Sequence, residues 1–157
     1  MHHATSPADL LTPKQLLSMS GLDFMRGILQ GTLPAPPIAK TLDYRLAEVE
    51  EGRVVFAGAP GFESCNPLGT VHGGWYGTIL DSAMACAVQT RLPKGSAYTT
   101  LEYKVNIIRS IPLGHEVRCE GIADHVGRST GVATGRITDE AGRLYATGST
   151  TCIVLTP

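Results

Sequence analysis

The most regular pattern in the chain is an apolar run that follows a turn at Asn66-Pro67. Residues 73–90 contain no proline and a single charged residue, Asp81, and they are rich in Ala, Leu, Ile and Met. These residue types favour helix, so the run predicts one long helix. Because this helix is apolar on nearly every side, it must be buried on nearly every side. Asp81 is costly to ionise there unless it has partners or serves chemistry.

The part of the chain before this run predicts helices and then strands. Helix signals lie within residues 12–31: Thr12 and Ser20 as N-caps, Gly21 as an interruption and Gly31 as an end. We expect this segment to pack across the mouth of the main domain, followed by an extended linker at 33–37 (LPAPP). From Ile38 the apolar period changes to two, which predicts a strand through Leu46, and RVVFA at 53–57 predicts a second.

The second half of the chain alternates between apolar and polar residues and is divided by turns. The predicted strands in hairpin succession cover residues 101–107, 115–126, 129–138 and 144–155. Two strands, a buried helix and four strands indicate an α+β domain with an antiparallel sheet. A helix that is apolar all round needs a strongly curved sheet to cover it. We therefore expect an N-terminal helical segment with a Pro-rich linker at 1–37 and the main domain at 38–157.

Composition and charge narrow the class of protein. The chain has 157 residues and a formal net charge of −1, which suits one domain and gives no sign of a nucleic-acid or membrane partner. No apolar run reaches the length of a membrane span. The N-terminus lacks the basic start and apolar middle of a signal peptide. We therefore expect a cytoplasmic protein.

The cysteines predict no metal site. Cys65, Cys86, Cys119 and Cys152 show no paired short spacing of the kind that zinc sites use. We interpret them as reduced thiols, with a reactive thiol at Cys65, beside the central turn, as the alternative.

One motif carries a resemblance to a known family. It consists of an asparagine, five intervening residues, His-Gly-Gly, and an aspartate nine positions after the histidine, here Asn66, His72, Gly73, Gly74 and Asp81. Placed at the start of a buried helix within this strand order, the motif resembles the hotdog fold, and within it the phenylacetyl-CoA (PaaI-like) acyl-CoA thioesterases. The resemblance covers about residues 38–155. It implies hydrolysis of an acyl-CoA by a homodimer or a dimer of dimers, with no metal and no cofactor beyond the coenzyme A of the substrate.

Two residues have roles that chemistry and the resemblance both support. Asp81 can activate water as a general base or attack the thioester directly, and the alternative is a structural carboxylate bonded to Thr78. Gly73 stands at the start of the helix, where backbone N–H groups are unpaired and the dipole is positive. Its N–H is the candidate oxyanion donor, and a simple glycine turn is the alternative.

The resemblance implies three further catalytic residues. Asn66 would donate its side-chain amide to the thioester carbonyl, or it caps the turn before Pro67. His72 would position the loop or contact the thioester sulfur, and a structural role is the alternative. A threonine at the start of the strand after the helix would orient the water, with an ordinary strand hydroxyl as the alternative, and the register favours Thr100 over Thr99.

Coenzyme A needs groups that bind its phosphates and its pantetheine arm. The resemblance and the positions of basic and hydroxyl side chains at turns indicate Gly74, Arg109, Gly127, Arg128 and Ser129. Solvated surface arginines are the alternative. Candidates for the acyl pocket, with core packing as the alternative, are Trp75, Tyr76, Ile79 and Met84.

The spacing within the helix predicts a shared site. Gly73 and Asp81 are eight positions apart, which separates them by roughly 12 Å along a helix axis. Because an attacking oxygen must lie within about 3–3.5 Å of its carbonyl, we expect two chains to combine Gly73 of one with Asp81 of the other. The rival functions are a hotdog hydratase or dehydratase and a non-catalytic acyl-CoA binding module. The sequence leaves the acyl group open.

Overall fold

The computed structural model describes residues 2–156. The helices of this range are α1 (Pro13–Leu16), α2 (Gly21–Gln30), α3 (Pro37–Thr41) and α4 (Gly73–Thr90). Its strands are β1 (Tyr44–Glu50), β2 (Arg53–Gly58), β3 (Ala97–Ile107), β4 (Val117–Val126), β5 (Thr130–Thr138) and β6 (Leu144–Leu155). Within residues 2–156, none of the helices has the length and apolar character needed to cross a membrane.

All six strands form one antiparallel sheet around α4. The strand order is β1-β2-β4-β5-β6-β3, and α4 contacts every strand. Only a curved sheet can touch one helix with all its strands, so the expected hotdog architecture is confirmed. The core lies between them, where Ile79, Leu80, Ala83 and Met84 of α4 have no exposed surface.

The predicted hairpin succession is wrong at β3. This strand pairs with β6, at the far end of the chain, while β4 pairs with β2. The connection between β3 and β4 is therefore a crossover, and β3 becomes an edge of the sheet. Alternation of apolar and polar residues identifies a strand but does not specify its partner, which is why the sequence pattern did not reveal this pairing.

The strand predicted from Ile38 is also wrong at its start. Pro37 occupies the first turn of α3, and the backbone N–H of Leu42 donates to the carbonyl of Ile38 over 3.0 Å. Proline suits that first helical position, so it begins a helix here instead of extending the linker. Asp43 then takes a left-handed conformation with φ of 51°, and β1 begins at Tyr44.

The N-terminal helices have the predicted caps. The hydroxyls of Thr12 and Ser20 accept the backbone N–H groups of residues three positions later, and Gly31 ends α2 with φ of 76°. Gly21 allows α2 to begin directly against the end of α4, since a Cβ there would lie 1.7 Å from the carbonyl oxygen of Gln89. α2 packs on α4 and β1. The division of the chain after residue 37 stays a prediction.

Candidate active site

Asp81 lies half-buried on α4, next to the start of β3. The hydroxyl of Thr100 donates a hydrogen bond to its Oδ1 over 3.0 Å. Desolvation raises the pKa of Asp81 above its ordinary value, and the hydrogen bond from Thr100 partly opposes this shift. Among residues 2–156 no Lys, Arg or His forms an ion pair with Asp81. A carboxylate in these surroundings is a stronger base than an exposed one.

The structure distinguishes between the hydroxyls that could accompany Asp81. Thr78, the partner in the structural alternative, donates to the carbonyl of Gly74 over 2.9 Å. Thr99 is exposed, whereas Thr100 is half-buried and points at the carboxylate. The geometry therefore brings together Asp81 and Thr100.

The start of α4 presents one free backbone donor. His72 is the N-cap, and its Nδ1 accepts the backbone N–H of Gly74 over 2.8 Å. The N–H of Trp75 donates to the carbonyl of His72 over 2.9 Å. The Gly73 N–H has no acceptor among the described residues, and Gly73 is exposed. This N–H lies at the positive end of the helix dipole.

Asn66 holds the turn that leads into α4. Its Oδ1 accepts the backbone N–H groups of Leu68 and Thr70 over 2.9 and 3.3 Å, and its Nδ2 donates to the Thr70 hydroxyl over 2.8 Å. An amide nitrogen carries two hydrogens. The first N–H of Asn66 thus keeps the side chain in place, and the second has no acceptor among the described residues.

The sheet register divides the predicted coenzyme A residues between two ends of β3. Thr100 pairs with Cys152, which pairs with Gly131, and the carbonyl of Ser129 accepts the N–H of Val154 over 2.9 Å. The turn at 127–129 thus lies at the Thr100 end, with Arg128 and Ser129 exposed.

Arg109 lies at the other end of β3, close to the start of α4. Its carbonyl accepts the hydroxyl of Tyr76 over 3.2 Å, and its guanidinium donates to the carbonyl of Leu144 over 2.6 Å. One chain therefore carries two separate groups. The first contains Asn66, His72, Gly73, Gly74 and Arg109, and the second contains Asp81, Thr100, Gly127, Arg128 and Ser129.

The surroundings of Asp81 include residues that the sequence motif does not indicate. A cavity of about 430 Å³ is lined by Asp81 and Thr100 together with Leu16, Phe24 and Met25 of the N-terminal segment. The apolar stripe on α2 was the only signal for this wall. The acyl-pocket candidates on α4 are buried in the core instead: Trp75, Tyr76, Ile79 and Met84.

The thiol of Cys86, which lines the same cavity as Asp81, is unreactive. Cys86 lies one turn further along α4, and burial raises its pKa to about 12. A thiol with that pKa stays protonated at neutral pH and is a poor nucleophile. All four cysteines are free, and the role of Cys65 stays a prediction.

Comparison with known proteins identifies the family. The model of the thioesterase superfamily matches residues 68–146, a range that contains both His72-Gly73-Gly74 and Asp81. This chain belongs to the thioesterase superfamily. No match is found among curated proteins.

Solved structures of several proteins superimpose on this superfamily member over most of its length. A thioesterase family protein from Silicibacter pomeroyi is 25% identical, with a TM-score of 0.75 over 85% of this chain and 99% of that one. A putative thioesterase, a phenylacetic acid degradation-related protein from Ralstonia eutropha JMP134, is 27% identical, with a TM-score of 0.75 over 83% and 98%. The E. coli PaaI protein, 19% identical, shares the fold with a TM-score of 0.75 over 87% and 96%.

Proposed function

We infer that this thioesterase hydrolyses an acyl-CoA to the free acid and coenzyme A. The observation that carries the proposal is the hydrogen bond of Thr100 to Asp81, a desolvated carboxylate in a cavity of about 430 Å³. The same fold accommodates such a ligand elsewhere. Smu.793 from Streptococcus mutans, 24% identical with a TM-score of 0.67 over 73% of this chain and 90% of that one, was solved bound to acetyl CoA.

The proposed reaction begins with a water molecule held between the carboxylate of Asp81 and the Thr100 hydroxyl. Asp81 takes a proton from this water, and the water oxygen bonds to the thioester carbon. The carbonyl oxygen becomes an oxyanion that accepts hydrogen bonds from the Gly73 N–H and the free N–H of Asn66. The carbon–sulfur bond then breaks, and the coenzyme A thiolate leaves and takes up a proton.

Direct attack by Asp81 is the alternative route. The carboxylate would form an anhydride with the acyl group and expel the thiolate, and water would then hydrolyse the anhydride. Both routes require the ionised carboxylate and the same oxyanion donors. In both, His72 acts by capping α4, which leaves the neighbouring Gly73 N–H free.

The geometry of one chain supports a site shared between two. Gly73 and Asp81 are eight positions apart on one helix, about 12 Å along its axis. A Cβ on Gly73 would lie 3.4 Å from Ile107 at the end of β3, whereas Asp81 contacts Thr100 near the start of β3. Antiparallel pairing of β3 with β3 of a second copy would therefore bring Gly73 of one chain to Asp81 of the other.

The surface of β3 supports this pairing. Within residues 2–156 this edge strand has β6 as its single neighbour, so one side of its backbone is free to pair. It also exposes large apolar side chains, with Leu101 60%, Tyr103 47% and Ile107 50% exposed. In such a homodimer Arg109 of one chain and Arg128 and Ser129 of the other would flank the phosphates of coenzyme A. A dimer of dimers satisfies the same geometry.

The experiment that tests the function is thiol release from a panel of acyl-CoA substrates. We expect the wild type to release coenzyme A and the Asp81→Asn variant to lose this activity. Thr78→Ala is the matched control, because Thr78 lies on the same side of α4 and bonds to Gly74 instead of Asp81. Absence of thiol release by the wild type across the panel would refute the proposal.

A further inference from the structure

The N-terminal segment and α4 border an apolar cavity. Its volume is about 370 Å³, and it is lined from the N-terminal side by Phe24, Met25 and Ile28 of α2, by Ala35 and by Ala39 of α3. β1 and β2 contribute Leu46 and Phe56 to its wall. Among the described residues that line it, none is charged.

This apolar cavity adjoins the one that contains Asp81. Leu16, Phe24 and Met25 line both, and so do Cys86 and Tyr98. Asp81 and Thr100 line only the cavity of about 430 Å³. Ala39 and Leu46 line only the apolar cavity.

The polar groups of the apolar cavity are already paired or neutral. The hydroxyl of Ser82, the residue after Asp81, is hydrogen-bonded to the hydroxyl of Tyr44 at 3.0 Å. The thiol of Cys86 is kept protonated by burial, which raises its pKa to about 12. A carboxylate on the ligand would find no cationic partner among these lining residues, and an unpaired buried charge is strongly unfavourable.

The wall formed by the N-terminal helices is separate from the motif that identifies the superfamily. The family model matches residues 68–146, whereas Leu16, Phe24, Met25 and Ala39 precede that range. Gly73, Asp81 and Thr100 lie within the matched range, whereas most of the side chains that line the apolar cavity lie outside it.

We propose that the acyl group of the substrate extends from Asp81 into this cavity. Phe24 on α2 and Ala39 on α3 set the length of acyl chain that fits. The substrates are acyl-CoA molecules whose acyl groups are uncharged, apolar and of medium length. The proposal rests on the proposed function. A volume of about 370 Å³ is near the lower end of the roughly 300–1,000 Å³ typical of ligand sites. An acetyl group would leave most of this volume unfilled, whereas an acyl chain of medium length would occupy it.

The preference is measurable as a chain-length profile. Each methylene that enters the cavity is expected to raise kcat/KM about fourfold, which corresponds to about 0.8 kcal/mol of transfer free energy. We expect kcat/KM to rise from acetyl-CoA through butanoyl- and hexanoyl-CoA and to fall again beyond the length that fills the cavity. Succinyl-CoA, which is similar in length to butanoyl-CoA but ends in a carboxylate, should be at least about tenfold poorer than butanoyl-CoA.

Two substitutions should move the profile in opposite directions. Ala39→Leu adds side-chain volume to the cavity wall, so the ratio of kcat/KM for decanoyl-CoA to that for butanoyl-CoA should fall about tenfold or more. Phe24→Ala enlarges the cavity and should raise the same ratio. Lys40→Ala and Arg26→Ala are the matched controls, because both residues are exposed neighbours of the cavity wall. Thermal unfolding checks each variant, and Phe24→Leu replaces Phe24→Ala where that variant does not fold.

A binding measurement separates this proposal from the proposed hydrolysis. Butyl-CoA and decyl-CoA thioethers cannot be hydrolysed, and calorimetry should show tighter binding of the decyl compound by the wild type and loss of that difference in Ala39→Leu. If the wild type releases no thiol from any acyl-CoA but keeps this pattern, hydrolysis is refuted and the cavity assignment stands. If thiol is released but neither substitution changes the chain-length ratio, the cavity assignment is overturned and the hydrolytic function stands.

Discussion

The hydroxyl of Thr100 donates a hydrogen bond to the carboxylate of Asp81 over 3.0 Å, across nineteen positions of chain. This contact joins the middle of α4 to the start of β3. It stabilises the ionised carboxylate, while desolvation favours the neutral acid, and desolvation is the larger effect. Asp81 is therefore a candidate base with a raised pKa, and the following predictions test this assignment.

Asp81→Asn should lower kcat by about a hundredfold or more, because positioned acid–base groups contribute about 10²–10⁴ in rate. The amide has nearly the same shape as the carboxylate, so binding of a decyl-CoA thioether should persist. Steady-state thiol release together with calorimetry measures both quantities. A variant with near-normal kcat would show that Asp81 is not the catalytic group.

The pH profile of kcat/KM should have an acidic limb whose midpoint reflects the raised pKa of Asp81. The base must be ionised, so kcat/KM should fall as the pH drops through a pKa above the ordinary value of about 3.9. Thr100→Ala removes the hydrogen bond that lowers this pKa, and the limb should therefore move to higher pH. Thr99→Ala should leave the limb in place, and an equal shift in both variants would contradict the assignment of Thr100.

Asp81→Asn should also make the protein more stable at neutral pH. A group whose pKa is raised by folding stabilises the folded state at low pH, and this contribution is lost as the pH rises through the folded pKa. Wild type and variant should therefore have similar Tm values in acid, and the Tm of the variant should be higher near neutrality. Thermal unfolding across this pH range measures the difference, and a lower Tm for the variant at neutral pH would contradict the desolvated state of Asp81.

Mixed dimers test the shared site. Asp81→Ala and Asn66→Ala subunits should each be nearly inactive alone, and mixing them should restore about a quarter of the wild-type activity. About half of randomly formed dimers are mixed, and each mixed dimer keeps one intact site of two. Two affinity tags allow the mixed dimers to be isolated. Verified mixed dimers without activity would mean that each site is built within one chain.

Arg128→Ala should raise KM for an acyl-CoA more than KM for the matching acyl-pantetheine, because only the former carries the nucleotide phosphates. Arg136→Ala is the control, since Arg136 is also exposed but lies further along β5. Equal effects of Arg128→Ala on the two substrates would remove Arg128 from the nucleotide site.

Local features of the chain were predictable from the sequence because they depend on neighbouring residues. An apolar run with one acid sufficed to define the bounds of α4, and the caps at Thr12 and Ser20 follow from side chains that bond three positions ahead. The Asn66-to-Asp81 motif and its relation to the thioesterases were equally visible. Each of these signals lies within one short stretch of the sequence.

Only the tertiary structure decided which distant segments meet. Alternation along β3 identified a strand, but its pairing with β6 depends on how the whole sheet closes around α4. The choice of Thr100 over Thr99 follows from which face of β3 points to the helix. The contact of Phe24 with the space next to Asp81 depends on how α2 packs, which a stripe of apolar residues on α2 does not specify. Hydrophobic periodicity determines which face of an element is buried, and the packing of the complete chain determines what that face touches.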